Sequence, residues 1–288
     1  ISLLIMTYSF DSHSQKIKHL LYKNIIENTK FSSKKFQNAR SSTTQKKVLE
    51  SLNEIATCLN GISTRNIPKK SLRNVCFLVC NTYKNNDGLG VSPLNDCYLT
   101  AQLNHKKGYQ IFYLYDSTRE EFMKYLSVFL KYTRKSLIIY YSGKCTTVHE
   151  DNITDSAIVF ENGNITGYEL NGILSLESNK KHKIVLICDC FTGSSIWNLS
   201  FDKAHFPVFP SNVVSIYPVY NSNVQDVTKK AEELHGIFTY YLSKYSYENN
   251  DISPNYLMQR MNSRFNQFDM SVVIESTKNT INSQPIFY

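Results

Sequence analysis

Five short apolar runs decide what this chain can fold into: NVCFLVC at 74–80, YQIFYLY at 109–115, SLIIYYSG at 136–143, KIVLICDC at 183–190 and SNVVSIYPVY at 211–220. A strand that is apolar at nearly every position has both faces buried, and such strands occur in parallel sheets covered by helices on two sides. The segments between and after them carry helical signals. PLNDCYLTAQLNHKKG ends at Gly108, and STREEFMKYLSVFLKYTRK opens at Ser117 with Glu120 three residues on, the spacing of a capping box. TGYELNGILSLESN, HGIFTYYLSKYSYE and SPNYLMQRMNSRF read as further helices. DSAIVFENG, with its polar turn, predicts a small strand or hairpin, TTVHEDN a loop, and the tail NSQPIFY an extended segment. The expectation is an α/β domain with a mostly parallel sheet and helices on both faces. Ligand and catalytic groups then belong at the carboxyl ends of the strands.

Residues 1–70 differ from the rest and are expected to form a basic, partly helical extension to a domain spanning 71–288. Leu20, Leu21, Ile25 and Ile26 suit one helix, and Val48, Leu49, Leu52, Ile55, Ala56 and Leu59 another. Deleting residues 1–65 is expected to leave a folded core. Residues 1–75 hold 13 Lys/Arg against 4 Asp/Glu, a balance of +9 within a formal net charge of +8. That excess reads as a solvated helical face, the alternative being an arm that touches nucleic acid or anionic membrane; no Arg-rich, aromatic-interleaved run marks a nucleic-acid reader.

No apolar run approaches the ~20 residues that span a bilayer. The seven cysteines are an odd number without a CxxC pair, which suits neither a disulfide framework nor a zinc site. A reducing cytoplasm is the compartment they suggest. No cofactor is called for. Glu150, Asp151 and Asp155 are too few acidic groups to predict calcium. Neither GxGxxG nor GxxxxGK[ST] occurs, which counts against a nucleotide-binding doubly wound domain.

Three strand ends carry chemistry: the region reaching Asn95-Asp96, then Tyr141-Ser142-Gly143-Lys144-Cys145, then Cys188-Asp189-Cys190-Phe191-Thr192-Gly193. With Gly236-Ile237-Phe238-Thr239 and Gln284-Pro285 they stand in one order along the chain. In that order and on those elements the chain resembles the caspase and metacaspase superfamily of cysteine peptidases, over residues 73–288. That family has Asn-Asp-Ala opening a helix, a strand ending in Tyr-Ser-Gly-His-Gly, and a strand ending in Asp-x-Cys-His-Ser-Gly or a relative of it.

The resemblance implies that Cys190 is the nucleophile, whose thiolate attacks a scissile carbonyl, with an oxyanion held by backbone N–H groups around Gly143 and Cys190. The alternative reading of Cys190 is a buried core thiol. The chain departs from the family where it matters most, because Lys144-Cys145 replaces His-Gly. A Lys with an ordinary pKa of ~10.4 is a poor base at pH 7. His149 is the nearest substitute imidazole, with a solvated surface residue as its alternative. His235 reads as a helix-cap neighbour, and His105, His182 and His205 as surface or loop residues.

Metacaspases recognise basic side chains through carboxylates. Asp96 matches one of these, or else serves as a helix N-cap. Cys188 stands at the other. Asp189 is displaced by one position, which reverses its direction on a strand. The implied function is a cysteine endopeptidase homologue with impaired or lost activity, which binds a peptide, a protein or an active relative. The rival is an active endopeptidase using Cys190 with His149 or an unconventional base.

Overall fold

The computed structural model describes residues 42–83, 89–150, 153–177, 182–190, 196–197, 199, 210, 212–220, 236–266 and 270–287. Their strands are β1 (Thr57–Cys58), β2 (Asn74–Cys80), β3 (Gln110–Tyr115), β4 (Ser136–Ser142), β5 (Cys145–Glu150), β6 (Ile153–Phe160), β7 (Gly163–Thr166), β8 (Lys183–Asp189), β9 (Val213–Tyr220) and β10 (Met270–Ser276). The helices are α1 (Ser42–Ile55), α2 (Ser92–Lys106), α3 (Arg119–Tyr132), α4 (Gly167–Glu177), α5 (Ile237–Glu248) and α6 (Pro254–Phe265).

The main sheet has seven strands in the order β1-β3-β2-β4-β8-β9-β10, and only β10 runs antiparallel to its neighbour. This is the expected mostly parallel α/β architecture. Strands β2, β4 and β8 lie in its middle and are buried along almost their whole length. Side chains alternate along them. One parity (Cys76, Leu78, Ile138, Tyr140, Val185 and Ile187) packs in a core with α1, α2, α5 and α6. The other (Phe77, Val79, Ile139, Tyr141, Leu186 and Cys188) packs in a second core with α3 and α4. Phe77, Phe122 and Phe129 anchor that second core, with ring centroids 6.0 and 5.0 Å from Phe77. Between β4 and β8 the chain makes a separate three-stranded antiparallel sheet, β5-β6-β7.

Several local expectations shift. The capping box of α3 is Thr118 with Glu121, one residue later than Ser117 with Glu120. Ser117 is buried, and the Glu120 carboxylate instead accepts from Asn162 Nδ2 at 2.6 Å. The stretch after Lys144 is the strand β5 and not a loop. Its Thr, Val and His residues pair in register with β6, His149 opposite Thr154. The hairpin expected at 155–163 is β6 turning into β7. The tail is a 3₁₀ turn over Asn279–Ser283 before it extends.

Two strands of the main sheet lie outside the five-run pattern. The two-residue β1 pairs with β3, and β10 pairs with β9 through Met270–Ser276. On α6, Asn262 accepts from Val272 N–H at 2.6 Å and donates to the Val272 carbonyl at 3.3 Å, covering part of the β10 edge.

The helix around Leu20–Ile26 falls outside the described residues. The helix expected at 48–59 is α1, over Ser42–Ile55. Its Val48 and Leu52 belong to the first core, and Leu59, past the helix, belongs to the second. Among the described residues, no helix is long and apolar enough to cross a membrane.

Candidate active site

The ends of β2, β4 and β8 meet as parallel neighbours, with Cys80 opposite Ser142 and Ser142 opposite Asp189. Side-chain alternation then splits the chemistry between the two faces of the sheet.

Cys188 and Cys190 point to the α3/α4 face. Cys190 is 2% exposed. Cys145, the first residue of β5, packs against the same core, and both it and Cys188 lie close enough to act on the Cys190 thiol. Burial pushes the Cys190 thiol well above its ordinary pKa; Cys145 adds to the rise and Cys188 opposes it. The indole N–H of the buried Trp197 donates to Cys188 Sγ at 3.2 Å. The thiols thus form a row, Cys145–Cys190–Cys188, closed at one end by Trp197.

Lys144 is held by its backbone. Its N–H donates to Tyr83 Oη at 2.7 Å, and its carbonyl accepts from Tyr141 Oη at 2.7 Å and from Val159 N–H at 3.1 Å. Tyr83 Oη donates on to the Val159 carbonyl at 2.7 Å. The Lys144 ammonium lies 5.2 Å from the centroid of the Tyr83 ring, a cation–π arrangement. Burial raises the pKa of both phenols, so they act as neutral hydrogen-bonding clamps.

Gly143 N–H donates to the Asp189 carbonyl at 3.4 Å, which extends the sheet ladder. A Cβ on Gly143 would stand 2.7 Å from the hydroxyls of both Tyr83 and Tyr141. The Gly143→Ala variant is therefore expected to lose about 1–3 kcal/mol through overpacking. Denaturant unfolding measures this, and unchanged stability would mean that the two tyrosines move aside freely.

On the opposite face stand Asp96, Ser142, Asp189 and Tyr140. Asp96 is not the N-cap of α2, which begins at Ser92 behind Val91. It lies within the helix, 4% exposed, and its Oδ2 accepts from Ser142 Oγ at 3.1 Å. Asp189 is fully buried. Its Oδ2 accepts from Thr239 Oγ1 at 2.5 Å and from Thr239 N–H at 3.2 Å. Thr239 is in the first turn of α5, where unpaired N–H groups and the helix dipole favour a carboxylate. Thr239 Oγ1 also meets Tyr140 Oη at 2.5 Å. Gly236 at φ 88° caps α5, and a Cβ there would come within 3.0 Å of Asp96 Oδ1. The sheet thus brings Asp96 and Asp189 together, on the face away from Cys190. The one-residue displacement of Asp189 acts as alternation predicts.

His149 is exposed on β5, four residues beyond Cys145 and so about 13 Å farther along an extended strand. His182, at the amino end of β8, is eight residues from Cys190, about 26 Å along the strand. It is buried and not a surface residue, and burial lowers its pKa to about 4. His105 sits in the last turn of α2, at the end away from Asp96. His205, His235 and the motif residues Phe191-Thr192-Gly193 fall outside the described residues.

Asp155 accepts from Ser156 N–H at 2.8 Å and from Tyr168 N–H at 2.9 Å, and so ties β6 to the start of α4. Among the described residues, no three His, Cys, Asp or Glu side chains are grouped to hold a metal ion.

Sequence reasoning missed Tyr83 and Trp197, and named Tyr141 only as part of the Tyr141-Ser142-Gly143 motif. Tyr83 follows its strand at φ 56°, a backbone region that non-glycine residues seldom occupy, and nothing in the local pattern signals it.

No family model matches the chain, and no curated protein is similar to it. Solved structures do resemble it. The Drosophila initiator caspase Dronc aligns at a TM-score of 0.53 and 10% identity, covering 76% of this chain and 86% of Dronc. A Geobacter sulfurreducens protein aligns at a TM-score of 0.53 and 11% identity, covering 75% of this chain and 98% of that one. The chain has a caspase-like fold.

Proposed function

We propose that this caspase-like domain is a cysteine endopeptidase homologue with impaired or lost hydrolysis, acting in the cytoplasm by binding a peptide, a protein or an active relative. The observation that carries the reading is the surroundings of Cys190. Its thiol neighbours are Cys145 and Cys188, and none of the three described histidines is near it. A general acid/base contributes about 10²–10⁴-fold to such a reaction. A thiol whose pKa is raised by burial is also scarce in its nucleophilic form at pH 7. The amine of Lys144 rests on the ring of Tyr83, which counts against it as the missing base.

The carboxylates Asp96 and Asp189 support binding less directly, since both are occupied by hydroxyl partners within the fold. The test is hydrolysis of fluorogenic peptides ending in Arg, Lys or Asp by the wild type and by Cys190→Ala. Both are expected to be indistinguishable from buffer. Wild-type turnover that either Cys190→Ala or His149→Ala abolishes would overturn the proposal in favour of an active endopeptidase.

A further inference from the structure

We propose that Cys145 and Cys190 form a redox site, which a hydroperoxide converts to a reversible disulfide across the carboxyl end of the sheet. The inference goes beyond the peptidase reading and does not rest on it.

Backbone geometry brings the two residues together. Ser142 and Asp189 are register partners on adjacent parallel strands. Cys190 follows Asp189 directly. On the other strand the chain turns at Gly143-Lys144, and the Gly143 N–H bond to the Asp189 carbonyl keeps that turn against the end of β8. The tyrosine clamps on Lys144 then fix where β5 starts, which is Cys145. Cys145 packs on the core that contains Cys190, close enough for its thiol to raise the pKa of Cys190.

Cys188 is a poorer partner for Cys190. Two positions along one strand put Cα atoms about 6.6 Å apart with side chains side by side, at the far end of the range a disulfide accepts. Its sulfur also already accepts the Trp197 N–H. The pair Cys145–Cys190 links two different segments and does not compete with the Trp197 N–H.

Exposure sets the order of events. Cys145 is partly exposed and Cys190 is not. The Cys145 thiolate attacks one oxygen of the peroxide and the O–O bond breaks. The displaced hydroxide takes up a proton and leaves as water, and Cys145 becomes a sulfenic acid. Cys190, giving up its proton to the departing hydroxyl, attacks the Cys145 sulfur. The S–O bond breaks, a second water leaves and the S–S bond forms. Two thiols lose two electrons, and one hydrogen peroxide becomes two waters.

The experiment treats the full chain with hydrogen peroxide, alkylates the remaining thiols, digests without reductant and maps the peptides by mass spectrometry. The expected result is a linked pair of peptides containing Cys145 and Cys190, two hydrogens lighter than the sum of the free peptides. Dithiothreitol removes it. The link is lost in Cys145→Ser and retained in Cys188→Ser. The wild-type map alone can overturn the proposal. It does so if Cys145 and Cys190 stay alkylatable while other cysteines or methionines oxidise, or if Cys145 stops at an unlinked acid. A link from Cys190 to Cys188 would overturn it too.

Discussion

The double variant Lys144→His with Cys145→Gly is expected to hydrolyse peptides faster than the wild type by about 10²-fold or more, as recovery of a general acid/base allows. The clamps make this a fair experiment. Tyr83, Tyr141 and Val159 hold the backbone of residue 144, so an imidazole placed there leaves from the same fixed point as the present lysine. Removing the Cys145 side chain also removes a neighbour that raises the pKa of Cys190. Adding Cys188→Asp should favour Arg- or Lys-ended peptides. The new carboxylate would meet the Trp197 N–H that now reaches Cys188 Sγ, which offsets part of the cost of burying a charge. Comparing kcat/KM for the wild type and the variants measures both effects. A double variant that is folded and no faster than the wild type would count against the proposed peptidase ancestry of the site.

The second large effect concerns the N-terminal region. Removing residues 1–41 is expected to leave cooperative unfolding in place. Removing 1–65 is expected to abolish it, contrary to what composition suggests. The longer deletion strips the edge strand β1 and takes Val48, Leu52 and Leu59 out of the two cores, where each is at most 4% exposed. At about 1.5–3 kcal/mol for each buried aliphatic side chain, the loss rivals the ~5–15 kcal/mol net stability of an ordinary domain. It also opens β3 as a new sheet edge. Thermal or denaturant melts of the two truncations decide the matter, and a cooperative transition in the 1–65 deletion would refute it.

The middle of the sheet was legible because β2, β4 and β8 are apolar on both faces, and a run such as KIVLICD fits little else. The two edges were not. Thr57–Cys58 is too short to show a period, and Met270–Ser276 becomes a strand through its pairing with β9. The same contrast runs through the site. Alternation along β8 correctly turned Asp189 away from Cys188 and Cys190. The occupants of its carboxylate, Thr239 and beyond it Tyr140, come from contacts 50 and 99 residues apart in the chain, which no local pattern encodes. Ser117 and Thr118 both offer a capping hydroxyl with a glutamate three residues on. Only the partner of Glu120, Asn162 on the β6–β7 turn, separates them. Cys145 looked like a mere departure from His-Gly, and its proximity to Cys190 emerges once β5 is seen to start there.

Lys183 has a consequence for how the chain is made. It opens β8 in the middle of the sheet, only 6% exposed, and burial lowers its pKa to about 8. Its ammonium donates to the carbonyl of Pro285, 102 residues later. While the chain is still emerging from a ribosome, β8 can dock between β4 and the incoming β9 only with that amine deprived of this acceptor. The central sheet therefore cannot reach its final stability in the order in which it is synthesised. The arrival of Pro285, long after β8 has been made, supplies the acceptor that the buried Lys183 ammonium needs.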